Sequence, residues 1–341
     1  MDMKEIRDKA RKLMNGSCRV CAVCDGRICS GEVPGMGGSG SGASFRNNVS
    51  ALADVRLNTR LVHSVHNPKL ETEFLGVKLD LPLMIGPIGG VAFNLGDAMP
   101  EAEYDEAIVD GAKESGIIAG VPDGALMSII ETALSFVTRA GGHGIPFFKP
   151  WAAEEFDMKV GMGVKAGCTV VGSDLDGIGM ITLRKMGRHV YAKDPAGLKE
   201  MADIAHKNGA RFIIKGVMCV EDAVHCAEAG VDAIIVSNHG GRVLDYTPGT
   251  AEVLPGIAAA VKGRIGIIGD GGVRSGVDIL KMLALGADCV MVGRPYSVAA
   301  IGGGKEGVKL YTQTYRDQLE QAMIMTGCND VAQAGAHLLY K

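Results

Sequence analysis

The chain has 341 residues, enough for one large domain or two small ones, and 47% of them are apolar, ample for a full core. A formal net charge of −4 at pH 7 argues against a nucleic-acid footprint, and no apolar run approaches the length of a membrane span. The 49 glycines, about twice ordinary usage, suit many tight turns and close approach of backbone to a ligand.

Residues 1–14 alternate Lys, Glu, Arg and Asp with few apolar side chains, which speaks against a signal peptide and predicts a short charged helix over 4–14. A cytoplasmic location is expected, and there nine cysteines point to metal ligation, redox chemistry or buried small apolar residues rather than disulfides. Four of the nine, Cys18, Cys21, Cys24 and Cys29, fall within twelve residues. At C-x2-C-x2-C spacing each short loop turns its thiolate back toward one centre, as at the start of the bacterial ferredoxin run. The fourth cysteine follows after four residues and has no proline behind it, so that match is partial. An iron–sulfur centre is the first expectation; structural zinc competes, and free thiols in a mobile arm are the bland alternative. The stretch Pro34–Gly42 is too glycine-rich for a helix or strand interior. It is either a flexible linker or a loop pressed against a ligand. A cysteine-rich extension with its linker, 1–41, is thus expected ahead of a main domain, 42–341. Cys168, Cys219, Cys226, Cys289 and Cys328 sit in apolar surroundings and are expected in the core.

A strand-like Leu61–Val65 comes next. Apolar strands then read at 83–87, 117–121, 146–149, 168–173, 211–216, 231–237, 264–269 and 288–292. Between them lie helical patterns such as 101–114, 152–166, 197–208, 220–229, 250–261 and 275–285, and 311–328 reads as a closing helix. Eight βα units over roughly 250 residues predict an α/β protein with a single (β/α)8 TIM barrel, whose chemistry belongs at the C-terminal strand ends.

Those strand ends carry the polar residues. The run Ile234–Val236 ends in Ser237, Asn238 and His239, and then Gly240 and Gly241 allow a sharp turn to Arg242 and Asp245. A proton acceptor and a fixed cation are held three residues apart. Lys215 ends a buried strand, a costly place for an unpaired charge. Asp270-Gly271-Gly272-Val273-Arg274 is a strand, a glycine turn and a helix start, and Gly293-Arg294 repeats the design one unit later. Backbone N–H groups at such turns, with an arginine at each, make a phosphate seat for a mononucleotide. The absence of G-x-G-x-x-G after any strand argues against a dinucleotide. Pro87-Ile88-Gly89-Gly90 and the pair Lys149 and Trp151 stand at two further strand ends.

The words Ser-Asn-His-Gly-Gly-Arg-x-Leu-Asp, Asp-Gly-Gly-Val-Arg and Gly-Arg-Pro closely resemble those of the FMN-dependent 2-hydroxy-acid oxidases and dehydrogenases, the family of glycolate and lactate oxidases. The resemblance runs from about Gly42 to about Cys328. It implies an oxidoreductase that takes a small 2-hydroxy acid, lactate- or glycolate-like, to the 2-oxo acid. His239 would take the hydroxyl proton and Asp176 would orient it, with Asp174 as the alternative if the alignment slips. Arg242 would hold the carboxylate and Lys215 would stabilise the reduced flavin, whether a hydride or a carbanion route delivers the electrons. Pro87, Ile88, Gly89, Lys149, Lys215, Ser237, Asp270, Gly271, Gly272, Arg274, Gly293 and Arg294 would contact FMN. Trp151 would wall the substrate.

Three departures qualify the likeness. The family has a tyrosine where Gly38 or Ser39 falls here, and glutamine and tyrosine where Lys149 and Trp151 fall. Its second substrate arginine has only Arg184 and Arg188 as candidates. An FMN-dependent reductase of a 2-oxo or unsaturated acid, fed by an iron–sulfur centre, is therefore the runner-up. A non-redox isomerase resembling type 2 isopentenyl diphosphate isomerase follows it, and an inactive barrel with a zinc docking module comes last. The resemblance also implies a homotetramer, with an electron acceptor left open.

Overall fold

The computed structural model describes residues 1–340. Its centre is a closed barrel of eight parallel strands: β3 (Leu83–Ile85), β4 (Ile118–Pro122), β5 (Ile145–Phe148), β6 (Val170–Asp174), β7 (Arg211–Val217), β8 (Ala233–Val236), β9 (Gly266–Gly269) and β10 (Cys289–Val292). Each strand pairs with its sequence neighbour, and β10 closes on β3 through Val290–Leu83, Met291–Met84 and Val292–Ile85. These are the eight strands expected from the apolar runs. β-Branched residues dominate them because both faces are buried, one in the barrel lumen and one under helices.

The period of two sorts those faces. Met84, Ile118, Ile145, Phe147, Val170, Ile213, Ile235, Ile268 and Met291 form the luminal core, while Leu83, Ile85, Phe212, Ile214, Ile234, Val236 and Ile267 pack outward under the helices. A two-stranded antiparallel hairpin, β1 (Thr72–Phe74) and β2 (Val77–Leu79), sends Phe74 and Leu79 into the lumen. This plug was not anticipated: two three-residue strands are too short for a periodic signal. The expected strand at Leu61–Val65 is absent, and Val62 is fully exposed.

Two features of the chain before the barrel bear on the site. The helix Met3–Leu13, opened by the Asp2 capping box, buries Ile6 and Ala10 against the helix Arg294–Thr326, where Gly302 leaves room for the Ile6 carbonyl. The glycine-rich stretch is a pressed loop, not a flexible linker. Gly37 lies under the Cys29 carbonyl, and Gly38 packs against Phe45 and the Gly241 carbonyl. Asp245 ties it to the site by accepting the N–H groups of Ser41 at 2.5 Å and Ala43 at 2.9 Å, at the start of the helix Ala43–Asp54. Cys168, Cys226, Cys289 and Cys328 are buried as expected. Cys219 is exposed, because it stands at the N-cap of the helix Val220–Glu228, outside the strand that precedes it.

The plug generates a prediction. Phe74→Ala should destabilise the protein by about 3 kcal/mol, the lower end for a buried phenylalanine because the ring sits at the barrel's base. Thermal unfolding reads this as a lowered midpoint. An unchanged midpoint would mean that the hairpin does not complete the core.

Candidate active site

One cavity opens at the C-terminal ends of the strands, where a (β/α)8 barrel keeps its loops. It runs from the β9 and β10 turns, Asp270–Arg274 and Met291–Arg294, past the β3 end at Gly86–Gly90, to Lys215, His239 and Arg242.

A chain of alternating charge forms its floor. Lys149 Nζ lies 2.5 Å from Asp174 Oδ2, and Lys215 Nζ lies 3.1 Å from Asp174 Oδ1 and 3.9 Å from Asp176 Oδ1. Asp176 Oδ1 in turn lies 3.0 Å from His239 Nδ1. The two aspartates therefore divide the work: Asp176 meets the imidazole, and Asp174 pairs with the two lysines. Burial alone would raise the Asp174 carboxyl, but Lys149, then Lys215 and His239, hold it below the usual carboxylate range. Burial likewise disfavours the Lys215 charge, and Asp174, Asp176 and Asp270 overcome it, so Lys215 stays a firm cation. His239 goes the other way. Burial and then the Lys215 charge push its pKa below the ordinary histidine value, with Asp176 opposing. The imidazole is thus neutral at pH 7. Lys215 Nζ also approaches His239 Nδ1 at 3.2 Å. An Nδ1 proton is best given to Asp176, which leaves Nε2 as the free basic atom.

Local backbone makes this possible. The β7–β8 register shifts between Lys215 and Val217, and the bulge residue is Gly216 at φ +106°. A Cβ on Gly216 would stand 2.8 Å from the Asp176 side chain, so glycine is what lets Asp176 reach the histidine. His239 itself is left-handed at φ +57°, followed by Gly240 and Gly241 in the same region. Strain at a non-glycine residue is held by the Ser237 hydroxyl, which accepts the His239 N–H at 3.1 Å and donates to Asp270 Oδ2 at 2.6 Å.

Arg242 lines the cavity beside His239 and, like Arg274 and Arg294, forms no ion pair among the described residues. Its guanidinium donates to the Gly35 carbonyl and, at 3.0 Å, to Asn94 Oδ1, and no carboxylate answers it. Burial and the neighbouring Arg294 both disfavour its charge. A bound anion would relieve that cost.

The expected FMN contacts Pro87, Ile88, Gly89, Lys149, Lys215, Asp270, Gly271, Gly272, Arg274, Gly293 and Arg294 all line this cavity. The walls fit a mononucleotide. Gly272 is left-handed at φ +81°, and a Cβ there would collide with the Asn48 carbonyl at 2.3 Å, which fixes a close-approach turn. The buried Nε of Arg274 has no partner, a donor awaiting an acceptor such as phosphate.

Several expectations need correction. Ser237 is fully buried behind the wall and does not line the cavity; it supports Asp270 and His239 instead. The Arg294 side chain is spent on the carbonyls of Met36, Gly37 and Gly240, with its guanidinium 3.9 Å above the Phe45 ring, so it anchors the glycine-rich loop. The Arg274 amide is taken by Asp278 Oδ2 at 3.0 Å, which leaves the side chain as the anion-binding part of that residue. Trp151 is no substrate wall. It is buried, donates Nε1–H to Asp123 at 2.6 Å, and lies between the Lys159 ammonium and the Arg188 guanidinium, at 4.3 and 4.4 Å from its ring. Neither Arg184 nor Arg188 reaches the cavity; Arg188 pairs with Glu155.

Other residues reach the cavity without having been foreseen. Asn94 and Asp123 belong to no motif. Met36 faces it from the glycine-rich loop, close to the position where the resemblance implied a tyrosine. Phe93, Leu126, Ile129, Met180, Leu183 and Met186 form an apolar outer wall.

Comparisons with known proteins point to one family. A family model described as FMN-dependent dehydrogenase matches residues 35–176 and 180–341. An L-lactate oxidase of Lacticaseibacillus rhamnosus is 34% identical over 322 residues, covering 86% of this chain and 85% of its own. A glycolate oxidase of Spinacia oleracea is 30% identical over 329 residues, covering 84% of each chain. A crystal structure of mandelate oxidase superposes with a TM-score of 0.81 at 25% identity, covering 99% of this chain and 97% of its own. The cysteines at 18–29 lie ahead of the matched region. With nearly all of the barrel matched and a relative above 30% identity, this chain belongs to the FMN-dependent dehydrogenase family of oxidoreductases.

Proposed function

We propose that the protein oxidises a 2-hydroxy acid to the 2-oxo acid with FMN in this cavity. The observation that carries the reading is the juxtaposition of a neutral His239, backed by Asp176, with the anion-seeking Arg242. Arg242 binds the substrate carboxylate, for which its planar fork is suited. His239 Nε2 then accepts the hydroxyl proton, and the imidazolium that forms is stabilised by Asp176 at Nδ1. Bound FMN supplies the two-electron acceptor for the substrate C–H bond. Lys215 and Arg274, which both line the cavity, would hold it, Lys215 supplying a fixed positive charge for the ring and Arg274 a donor for the phosphate. Lys149, beside Asp174, keeps that carboxylate ionised.

The apolar outer wall favours a side chain of at least a methyl group, which places lactate and longer acids ahead of glycolate. Nothing in the cavity calls for a diphosphate, so the isomerase reading falls behind. The four N-terminal cysteines form a metal centre outside the barrel's acid–base chemistry. Nine unpaired cysteines suit a reducing, cytoplasmic location, and no helix among the described residues is long and apolar enough to cross a membrane.

Three outcomes test this reading. Arg242→Met should weaken binding of the 2-oxo acid product by two to three orders of magnitude, read as the perturbation of the flavin spectrum, because about 2–5 kcal/mol is lost when a buried charged partner is removed. Unchanged affinity would remove Arg242 from the substrate. The base must be deprotonated, and the His239 pKa is depressed, so kcat/KM should stay level through pH 7 and fall only at pH values below the ordinary histidine pKa of about 6.5. An acid limb centred above neutrality would contradict a neutral His239. Finally, kcat/KM should rise from glycolate to lactate to 2-hydroxy-4-methylpentanoate; a strict preference for glycolate would show that the outer wall does not meet the substrate.

A further inference from the structure

The segment from Cys18 to Cys29 has an architecture that its own side chains do not explain. It contains no helix or strand, and only Val20 and Gly26 within it are buried. Its other apolar side chains face solvent, Val23 at 72% and Ile28 at 64% exposure. A stretch so poor in core ordinarily needs a disulfide or a metal to hold it, and all four of its cysteines are unpaired thiols.

Its backbone is nevertheless shaped by specific contacts. Arg7 donates to the Cys21 carbonyl at 2.6 Å, and Arg11 donates to the carbonyls of Val20 at 2.9 Å and Arg19 at 3.1 Å. Val20 is left-handed at φ +45°, and its N–H points at Cys18 Sγ at 3.4 Å. An amide aimed at a sulfur suits a ligating thiolate, because the N–H stabilises its negative charge. Cations complete the setting. Cys24 Sγ accepts from Arg274 Nη2 at 3.5 Å, and Arg294 anchors the adjoining glycine-rich loop through the Met36 and Gly37 carbonyls.

The spacing discriminates between occupants. Zinc at 2.3 Å from four thiolates places the sulfurs about 3.8 Å apart. Among the described residues, three ligand atoms converge within 4.8 Å only at Asp174, Asp176 and His239, so no three of these sulfurs do. The thiols therefore do not stand at the separations of one tetrahedral ion, and the C-x2-C-x2-C spacing of Cys18, Cys21 and Cys24 is that of the bacterial ferredoxin run. A four-iron cluster interposes its own iron and sulfide atoms and needs wider separations.

We infer that Cys18, Cys21, Cys24 and Cys29 ligate a four-iron, four-sulfide cluster seated against Arg274, beside the cavity. Its nearness to a flavin phosphate rests on the FMN reading above; the site itself does not. Arg274 is then shared, since it lines the cavity and its guanidinium also meets Cys24.

The test is the composition of the full chain expressed with added iron and purified without oxygen. Iron, acid-labile sulfide, zinc and FMN are measured per chain, with an electron paramagnetic resonance spectrum after dithionite. The expected result is about four iron and four sulfide per chain with a cluster signal on reduction. Cys18→Ser and Cys21→Ser should lose the iron and keep their FMN, whereas Cys219→Ser should keep both. Stoichiometric zinc without iron, or no metal at all, would overturn the inference, and the unsubstituted chain decides this even if a variant misfolds. Iron and sulfide without FMN would instead leave the cluster standing and sink the flavin reading.

Discussion

The structure depends on keeping five ionisable groups packed together, three of them buried, without leaving any charge uncompensated. Lys149, Asp174, Lys215, Asp176 and His239 alternate in sign along the floor of the cavity, each within 4 Å of the next. Isolated in the interior, any one of these ions would cost several kcal/mol. Together they hold Lys215 charged, keep the Asp174 carboxyl below the usual carboxylate range and push the His239 pKa down. That pattern is what the proposed chemistry needs: a base ready at pH 7 and a positive charge that does not move. The Gly216 bulge is a small feature of the fold, yet without it Asp176 could not reach the histidine.

Much of this was legible in the residues. Eight apolar runs read as eight strands because a parallel barrel buries both faces of each. Lys215, His239, Arg242 and Asp270 stood out because polar residues at the ends of buried strands have few structural reasons to be there. The resemblance ranks Asp176 ahead of Asp174 as the partner of the histidine, and Asp176 is the one that meets it. The two alternate along one chain, and the bulge on the neighbouring strand decides which of them meets the imidazole.

What failed to show has a common cause. Trp151 looks like an active-site aromatic from its position at a strand end, but Lys159 from the following helix and Arg188 from a loop both stack on its ring. Arg294 follows a glycine as phosphate-binding arginines do, yet the glycine-rich loop arrives from more than 250 residues away and takes its donors. Asn94 and Asp123 matter only because the barrel brings their loops over the cavity. In each case a distant segment decides the role, and spacing along the chain carries no record of it. The glycine-rich loop is the reverse case. Its composition allowed either a linker or a packed strip, and its contact with Arg294, Phe45 and Gly241 makes it the latch between the cysteine segment and the site.

The most direct measurement is an anaerobic titration of the flavin-loaded protein with L-lactate, following the visible flavin absorption and assaying the product. The account predicts that the flavin band bleaches as the acid is added, with one 2-oxo acid formed for each flavin reduced. A flavin that stays oxidised in the presence of lactate and of longer 2-hydroxy acids would contradict it, since a neutral base, a carboxylate clamp and a fixed cation would then be assembled around a reaction that does not occur.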